Sequence, residues 1–185
     1  MNRTYVTERL VLKVIAPEYA QGVLDFYEVN KTFLEPWEHM KSPTFFTLSH
    51  QQKTLEVEER SFCKGQMVRF WLYLKEDDLF VYPIGTIALT NIIRGAFQSC
   101  FLGYKIHINM TRKGYMTEAL RKVISIAFEE MNLHRLEANI MPCNLASLSL
   151  VKKLGFHEEG LAIQYSKVNG KWEDHLHWVL LNKEY

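Results

Sequence analysis

The run Ile106-His107-Ile108-Asn109-Met110-Thr111-Arg112-Lys113-Gly114-Tyr115-Met116-Thr117 holds the residues whose order most directly suggests chemistry. It reads as the end of a strand, a short turn at Gly114 and the start of a helix. Glycine accepts the positive φ that a tight turn needs, and the first N–H groups of a helix have no partner within it. With the helix dipole behind them, the N–H groups of Arg112 to Thr117 would converge on one spot that suits a phosphate. Taken alone the stretch is equally an ordinary loop entering a helix, because one glycine is weak evidence for a cradle. A second constellation, His175-Leu176-His177, puts two imidazoles on one strand face at a spacing that could ligate a metal. No third ligand is apparent, a place in the sheet's own hydrogen bonding is the simpler reading, and no metal is expected. Cys63, Cys100 and Cys143 are odd in number and lack C-x-x-C spacing, which points to core thiols in a reducing compartment.

Positioning such groups takes a sizeable fold. The chain has 185 residues, 48% hydrophobic and 13% aromatic, enough to bury a full core in one domain over 1–185. Lys+Arg of 22 against Asp+Glu of 21 leaves a net charge of +1, so no global field marks nucleic acid or an anionic membrane as a direct partner. No apolar run follows the charged N-terminus and none elsewhere reaches membrane-spanning length, so a soluble cytoplasmic protein is expected.

The pattern predicts a first strand at Arg9 to Ile15, then a helix opened by Pro17 and carried by Tyr19, Val23, Phe26 and Tyr27. A turn at Phe33 to Glu38 follows, then a helix over Ser49 to Lys64 capped by Ser49 with Leu55 and Phe62 inward. Val68 to Leu74, Pro83 to Ile93 and Gln98 to Ile106 read as an antiparallel meander. The helix after Gly114 carries the stripe Met116, Leu120, Val123, Ala127 and Met131, with Glu118 on its wet side. Arg135 to Met141 is a strand with Leu136, Ala138 and Ile140 on one face, and a helix over Leu145 to Leu154 stops at Gly155. Strands at His157 to Val168 and Lys171 to Leu181 are joined by Asn169-Gly170, a strong hairpin signal. The order implies an α/β fold with a central mixed, mostly antiparallel sheet flanked by helices.

In order and at these spacings the motifs resemble the GNAT family of N-acetyltransferases, most closely its ribosomal-protein N-terminal alanine branch, over nearly the whole chain. The pieces are Thr7-Glu8-Arg9-Leu10-Val11-Leu12, Phe33-Leu34-Glu35-Pro36-Trp37-Glu38, Ile92 to Gln98 with Leu102-Gly103-Tyr104, Pro142-Cys143-Asn144-Leu145-Ala146-Ser147, Leu154-Gly155-Phe156, and Asn169-Gly170-Lys171-Trp172-Glu173-Asp174-His175. The family's acetyl-CoA cradle is Arg/Gln-x-x-Gly-x-Gly/Ala, and Thr111 to Met116 stand in its place. Gly114 is kept, while Thr111 and Met116 depart.

The resemblance implies attack of a primary amine on the acetyl-CoA thioester, with Arg112, Lys113, Gly114, Tyr115, Met116 and Thr117 at the pyrophosphate. It places the pantetheine arm between two splayed strands, against the main chain of Ile106, His107 and Ile108. Asn144 and Ser147 match the family's Asn-x-x-Ser, Asn144 toward the pantetheine and Ser147 as proton donor to the sulfur. Read without the resemblance, Asn144 is an N-cap and Ser147 a buried helix hydroxyl. Tyr104 and Tyr165 are rival donors, each also plausible as a core tyrosine. A sibling serine-specific branch has a glutamate where Ser166 stands, so no general base carries over, and Glu173, Asp174 and water remain. The segment 17–65 holds eight acidic and five basic residues, a net of −3, and the resemblance places it on the acceptor side as an acidic wall.

The reading is thus an acetyl-CoA-dependent N-acetyltransferase acting on a protein N-terminus, alanine of a ribosomal protein first. The alternatives are a small-amine acetyltransferase, for a polyamine, amino acid or antibiotic, and a non-catalytic acyl-CoA-binding module. A monomer or homodimer is expected.

Overall fold

The computed structural model describes residues 1–183. Period-two burial such as Leu136, Ala138 and Ile140 inward against Arg135, Glu137 and Asn139 builds its strands. They are β1 (Thr4–Val6), β2 (Leu10–Lys13), β3 (Val68–Leu74), β4 (Gly85–Ile93), β5 (Ser99–Ile106), β6 (Arg135–Ile140), β7 (His157–Val168) and β8 (Lys171–Leu181). They form one eight-stranded sheet in the order β1-β2-β3-β4-β5-β6-β8-β7. Every pairing is antiparallel except β5 with β6, which is parallel.

Helices cover both faces. On one lie α1 (Ala20–Val29), the short α2 (Lys31–Leu34) and α3 (Leu48–Cys63), packed through Phe26, Tyr27 and Leu55 on Trp71 and Tyr73. On the other lie α4 (Tyr115–Ser125), extended by a π-helical turn at Ile126–Glu130, and α5 (Leu145–Lys153). All five residues of the α4 stripe, Met116, Leu120, Val123, Ala127 and Met131, are buried. Truncating Leu120 to Ala at such a site costs about 2–5 kcal/mol.

Several local expectations are corrected. β1 was not anticipated, being three residues long with only Tyr5 buried. The segment after Pro17 starts as a 3₁₀ turn, and α1 proper begins at Ala20. The cap of α3 is Thr47, whose hydroxyl accepts the His50 N–H at 3.3 Å, and not Ser49, which lies inside the helix. Only Cys100 is a core thiol, Cys63 and Cys143 being exposed.

The sheet is split at its centre. β5 and β6 pair only at Ser99, Cys100 and Phe101 with Arg135, Leu136 and Glu137. Past that point β5 is held by β4 as far as Ile106, and β6 by β8 as far as Ile140. The two strands thus follow different neighbours and leave a gap between them.

Candidate active site

At the end of β5 the chain makes a 3₁₀ turn over Ile108–Met110, with Thr111 closing it through its hydroxyl on the Ile108 carbonyl at 2.9 Å. Arg112 at φ 59° and Gly114 at φ 82° then turn the backbone through the left-handed region into α4. The first helical bond is Glu118 N–H to the Gly114 carbonyl at 3.1 Å. Among the described residues, the N–H groups of Arg112, Lys113, Gly114, Tyr115, Met116 and Thr117 donate to no protein acceptor. Such a row of unanswered donors at a helix start is an anion-binding concavity.

Two residues brace it, and sequence reasoning had assigned neither a role here. Arg9, just before β2, donates from Nη1 to the Lys113 carbonyl at 3.0 Å, and its guanidinium lies 4.6 Å over the Tyr115 ring. Glu118 is not on the wet side of α4 as expected: its carboxylate takes the Arg9 Nε at 2.7 Å, the Arg9 N–H at 2.8 Å and the Thr7 hydroxyl at 2.6 Å. The match of Thr7-Glu8-Arg9 to the family's opening strand was the available signal. A cation therefore stands beside the cradle although Thr111 supplies none.

Beyond the cradle, the expected main-chain partners of the pantetheine arm divide. The His107 N–H is taken by the Ile84 carbonyl, and the Ile108 N–H by Asn30 Oδ1, each at 2.8 Å. Alternation along β5 turns the main chain of Tyr104 and Ile106 the other way, to the gap. Asn30 is fully buried and also donates to the Phe26 carbonyl at 2.7 Å, tying α1 to the strand end. Burial lowers the His107 pKa, and its neutral Nδ1 accepts the Asn109 N–H at 3.1 Å.

The three candidate proton donors fall on opposite faces. Tyr104 and Ser147 meet on the α4–α5 face, where the Tyr104 hydroxyl donates to the Ser147 carbonyl over a long 3.4 Å. Burial pushes the Tyr104 phenol up to about 12, so it keeps its proton at neutral pH. Asn144 does cap α5, Oδ1 accepting the Ser147 N–H at 3.2 Å, while no protein group among the described residues engages its Nδ2. Tyr165 lies on the α1–α3 face and accepts from Asn139 Nδ2 at 3.1 Å. Its pKa is raised by burial and then by Glu137.

That face also holds two cavities, of about 250 and about 440 Å³, which share Glu38, His39 and Lys41 and so adjoin as one groove. The smaller is aromatic, with Tyr27, Phe45 and Phe46; the larger is lined by Trp37, Phe101, Lys105, Asn139, Tyr165, Ser166 and His175. Glu38 is ion-paired to Lys105 and, at 3.5 Å, to Lys41. The β7–β8 hairpin tip fastens this segment, Asn169 N–H to the Glu38 carbonyl at 2.8 Å and His39 Nδ1 to the Lys167 carbonyl at 2.6 Å. In β5, a side chain added at Gly103 would meet nothing within 4 Å.

The groove is not the acidic wall expected from the charge count. Glu58 pairs with Arg69 and Glu59 with Arg3, each at 2.7 Å, and the groove's Glu35 and Glu38 are accompanied by Lys31, Lys41 and Lys105. Among the described residues no group of three or more His, Cys, Asp or Glu side chains is placed to hold a metal ion.

Relatives match most of the chain. Residues 9–157 match the acetyltransferase (GNAT) domain family. The chain belongs to the GNAT acetyltransferases. It is 38% identical over 165 residues to the probable N-acetyltransferase YjcK of Bacillus subtilis (strain 168), covering 89% of this chain and 90% of that one. It is 34% identical over 170 residues to the [ribosomal protein uS5]-alanine N-acetyltransferase of Escherichia coli (strain K12), covering 92% and 86%. Mycobacterium smegmatis RimJ in complex with CoA-disulfide superposes with a TM-score of 0.87 at 26% identity, covering 95% of this chain and 83% of that one. The protein is an acetyl-CoA-dependent N-acetyltransferase, and acetyl-CoA is its co-substrate.

Proposed function

We propose that this acetyltransferase modifies the α-amino group of a protein N-terminus, alanine of a ribosomal protein first. The observation that carries the reading is the 34% identity, over 92% of the chain, to an enzyme named for a ribosomal alanine terminus. The groove adds to it. An α-amine with a pKa of about 7.7–8.0 is neutral in roughly a tenth to a sixth of molecules at pH 7, against well under 0.1% for a lysine at about 10.4. The groove's Lys31, Lys41 and Lys105 are offset by Glu35 and Glu38, so its length along two adjoining cavities, and not its charge, favours a peptide terminus over spermidine. A cytoplasmic place of action follows from a ribosomal acceptor.

In this reading the N–H groups of Arg112 to Thr117 take the pyrophosphate of acetyl-CoA. The main chain of Ile106 and the Nδ2 of Asn144 take the pantetheine arm in the gap. The amine arrives through the groove, on the face opposite Ser147 and Tyr104, so that attack and departure of the thiol occur on opposite faces of the sheet. The Ser147 hydroxyl, next to Tyr104, returns a proton to the leaving sulfur. Tyr165, on the amine's side, is set aside as that donor.

The test is competition between amines. A short peptide beginning with Ala and carrying Lys or Arg should be acetylated on its α-amine with kcat/KM far above that of spermidine, as read by mass spectrometry. Spermidine as the better substrate, or acetyl groups on peptide lysine side chains, would remove the N-terminal assignment.

A further inference from the structure

We propose that His175 is the base that takes the proton from the acceptor amine. This rests on the reading that the amine enters through the groove. His175 is 7% exposed, lies on β8 and lines the larger cavity. Its Nδ1 is 3.0 Å from the main-chain oxygen of Glu173. A carbonyl only accepts, so Nδ1 carries the hydrogen, and the lone pair of the neutral ring is fixed at Nε2. No protein group among the described residues bonds to that Nε2. A tautomer set by a main-chain carbonyl, with the other nitrogen bare at a cavity wall, is the arrangement a general base requires.

The neighbourhood asks for a ligand. The Tyr165 ring sits 5.3 Å from His175 and 4.9 Å from His177. Asn139 and His177 face each other across the β6–β8 ladder, and Asn139 Oδ1 and His177 Nε2 are both buried without a hydrogen-bond partner. Buried polar atoms are rarely left so. Asn139 belongs to the part of β6 that borders the gap, and it lines the same cavity as His175.

Three nearby carboxylates are committed elsewhere. Asp174 Oδ1 accepts the Gln164 N–H at 2.7 Å, Glu137 pairs with Arg135 at 2.8 Å, and Glu38 is held by Lys105 and Lys41. The titratable and charged groups facing the site are Tyr165, His177, Glu173 and these carboxylates, with Lys105 of β5 and Lys41 and His39 at the mouth. In the step, the acceptor's ammonium gives one proton to His175 Nε2 and its freed pair forms the C–N bond. The C–S bond breaks with its pair on sulfur, and the second N–H proton is released as sulfur gains one on the Ser147 face. One ammonium and one thioester thus become one amide, one thiol and one proton on imidazole.

His175→Asn keeps an N–H near the place of Nδ1 and removes Nε2. Expected is a kcat about 100-fold lower with acetyl-CoA affinity unchanged by calorimetry. The variant's kcat/KM should keep rising with pH through the amine's own titration, where the native enzyme levels off earlier. The assay uses whichever amine the native enzyme acetylates best, so a spermidine preference strikes the acceptor assignment and a native-like H175N profile strikes His175. Nitrogen NMR of the native protein gives a reading that does not depend on the variant folding: protonated Nδ1 with bare Nε2 supports the proposal, and the reverse tautomer overturns it. So does a His39→Asn variant that loses the profile while His175→Asn keeps it.

Discussion

The two ends of the cleft are made of different material. The cradle end is main chain: six consecutive N–H groups, shaped by two left-handed residues and one helix start. The groove end, where the amine is proposed to enter, is side chain, assembled from the segment after α2, β5, β6, β7 and β8. A site made of backbone tolerates many side chains and depends on shape, which is why Thr111 and Met116 can depart from the family pattern there. A site made of side chains depends on identity, and each member is a place where acceptor choice can change.

The sharpest way to break that contrast is at Gly114. Valine there would hold a β-branched side chain at φ 82°, with its Cβ 3.3 Å from Arg9 Nη2. Acetyl-CoA affinity should fall by about 100-fold or more, near 2.7 kcal/mol, by titration calorimetry. A change within a few-fold would mean that the cradle is not the phosphate site.

Next in size is Ser147→Ala, expected to lower kcat by about 100-fold while leaving acetyl-CoA affinity in place. Steady-state rates with calorimetry decide it. An unchanged kcat passes the role to Tyr104, whose hydroxyl already lies against the Ser147 main chain.

The same contrast governs what could be read beforehand. The strands and α4 were legible because their burial periods are regular, and the cradle because one glycine before a helix has a local meaning. The split needed the resemblance, since nothing within β5 or β6 says that their ladder ends at Phe101. The acidic wall failed for a non-local reason: Arg3 and Arg69, the first 56 residues from its partner, neutralise Glu59 and Glu58. Glu118 read as solvated because its partners, Thr7 and Arg9, come from the distant β1–β2 turn. His175 read as a sheet residue, which it is; only the Tyr165 and Asn139 contacts across three strands give it a cavity to face.

A test confined to the amine end is Lys105→Met. Lys105 balances Glu38 beneath the groove, and its loss leaves that carboxylate to Lys41 alone. Stability should fall by about 2 kcal/mol, or about 4–8 °C in Tm, and the acceptor KM should rise about 10-fold. Acetyl-CoA affinity should not change, and a parallel loss of it would show that the two ends are not independent.

The smallest effect is expected where a side chain serves the main-chain end. Burial by itself would raise the Glu118 pKa, but the bonds from the Thr7 hydroxyl, the Arg9 N–H and the Arg9 guanidinium outweigh it and hold the carboxyl below its ordinary value. A carboxylate lowered by folding adds stability above its unfolded pKa, about 4.3, and that stability is lost as pH falls through the folded value. Glu118→Gln should therefore lower Tm by about 2–4 °C at pH 7, the partly exposed pair being screened. The gap from the native protein should close as pH falls below about 4.3, and acetyl-CoA affinity should weaken only a few-fold, since Arg9 keeps its bond to the Lys113 carbonyl. Calorimetric melts across that range separate the causes: a gap that persists into acid means that Glu118 steadies the cradle by packing and not by its charge.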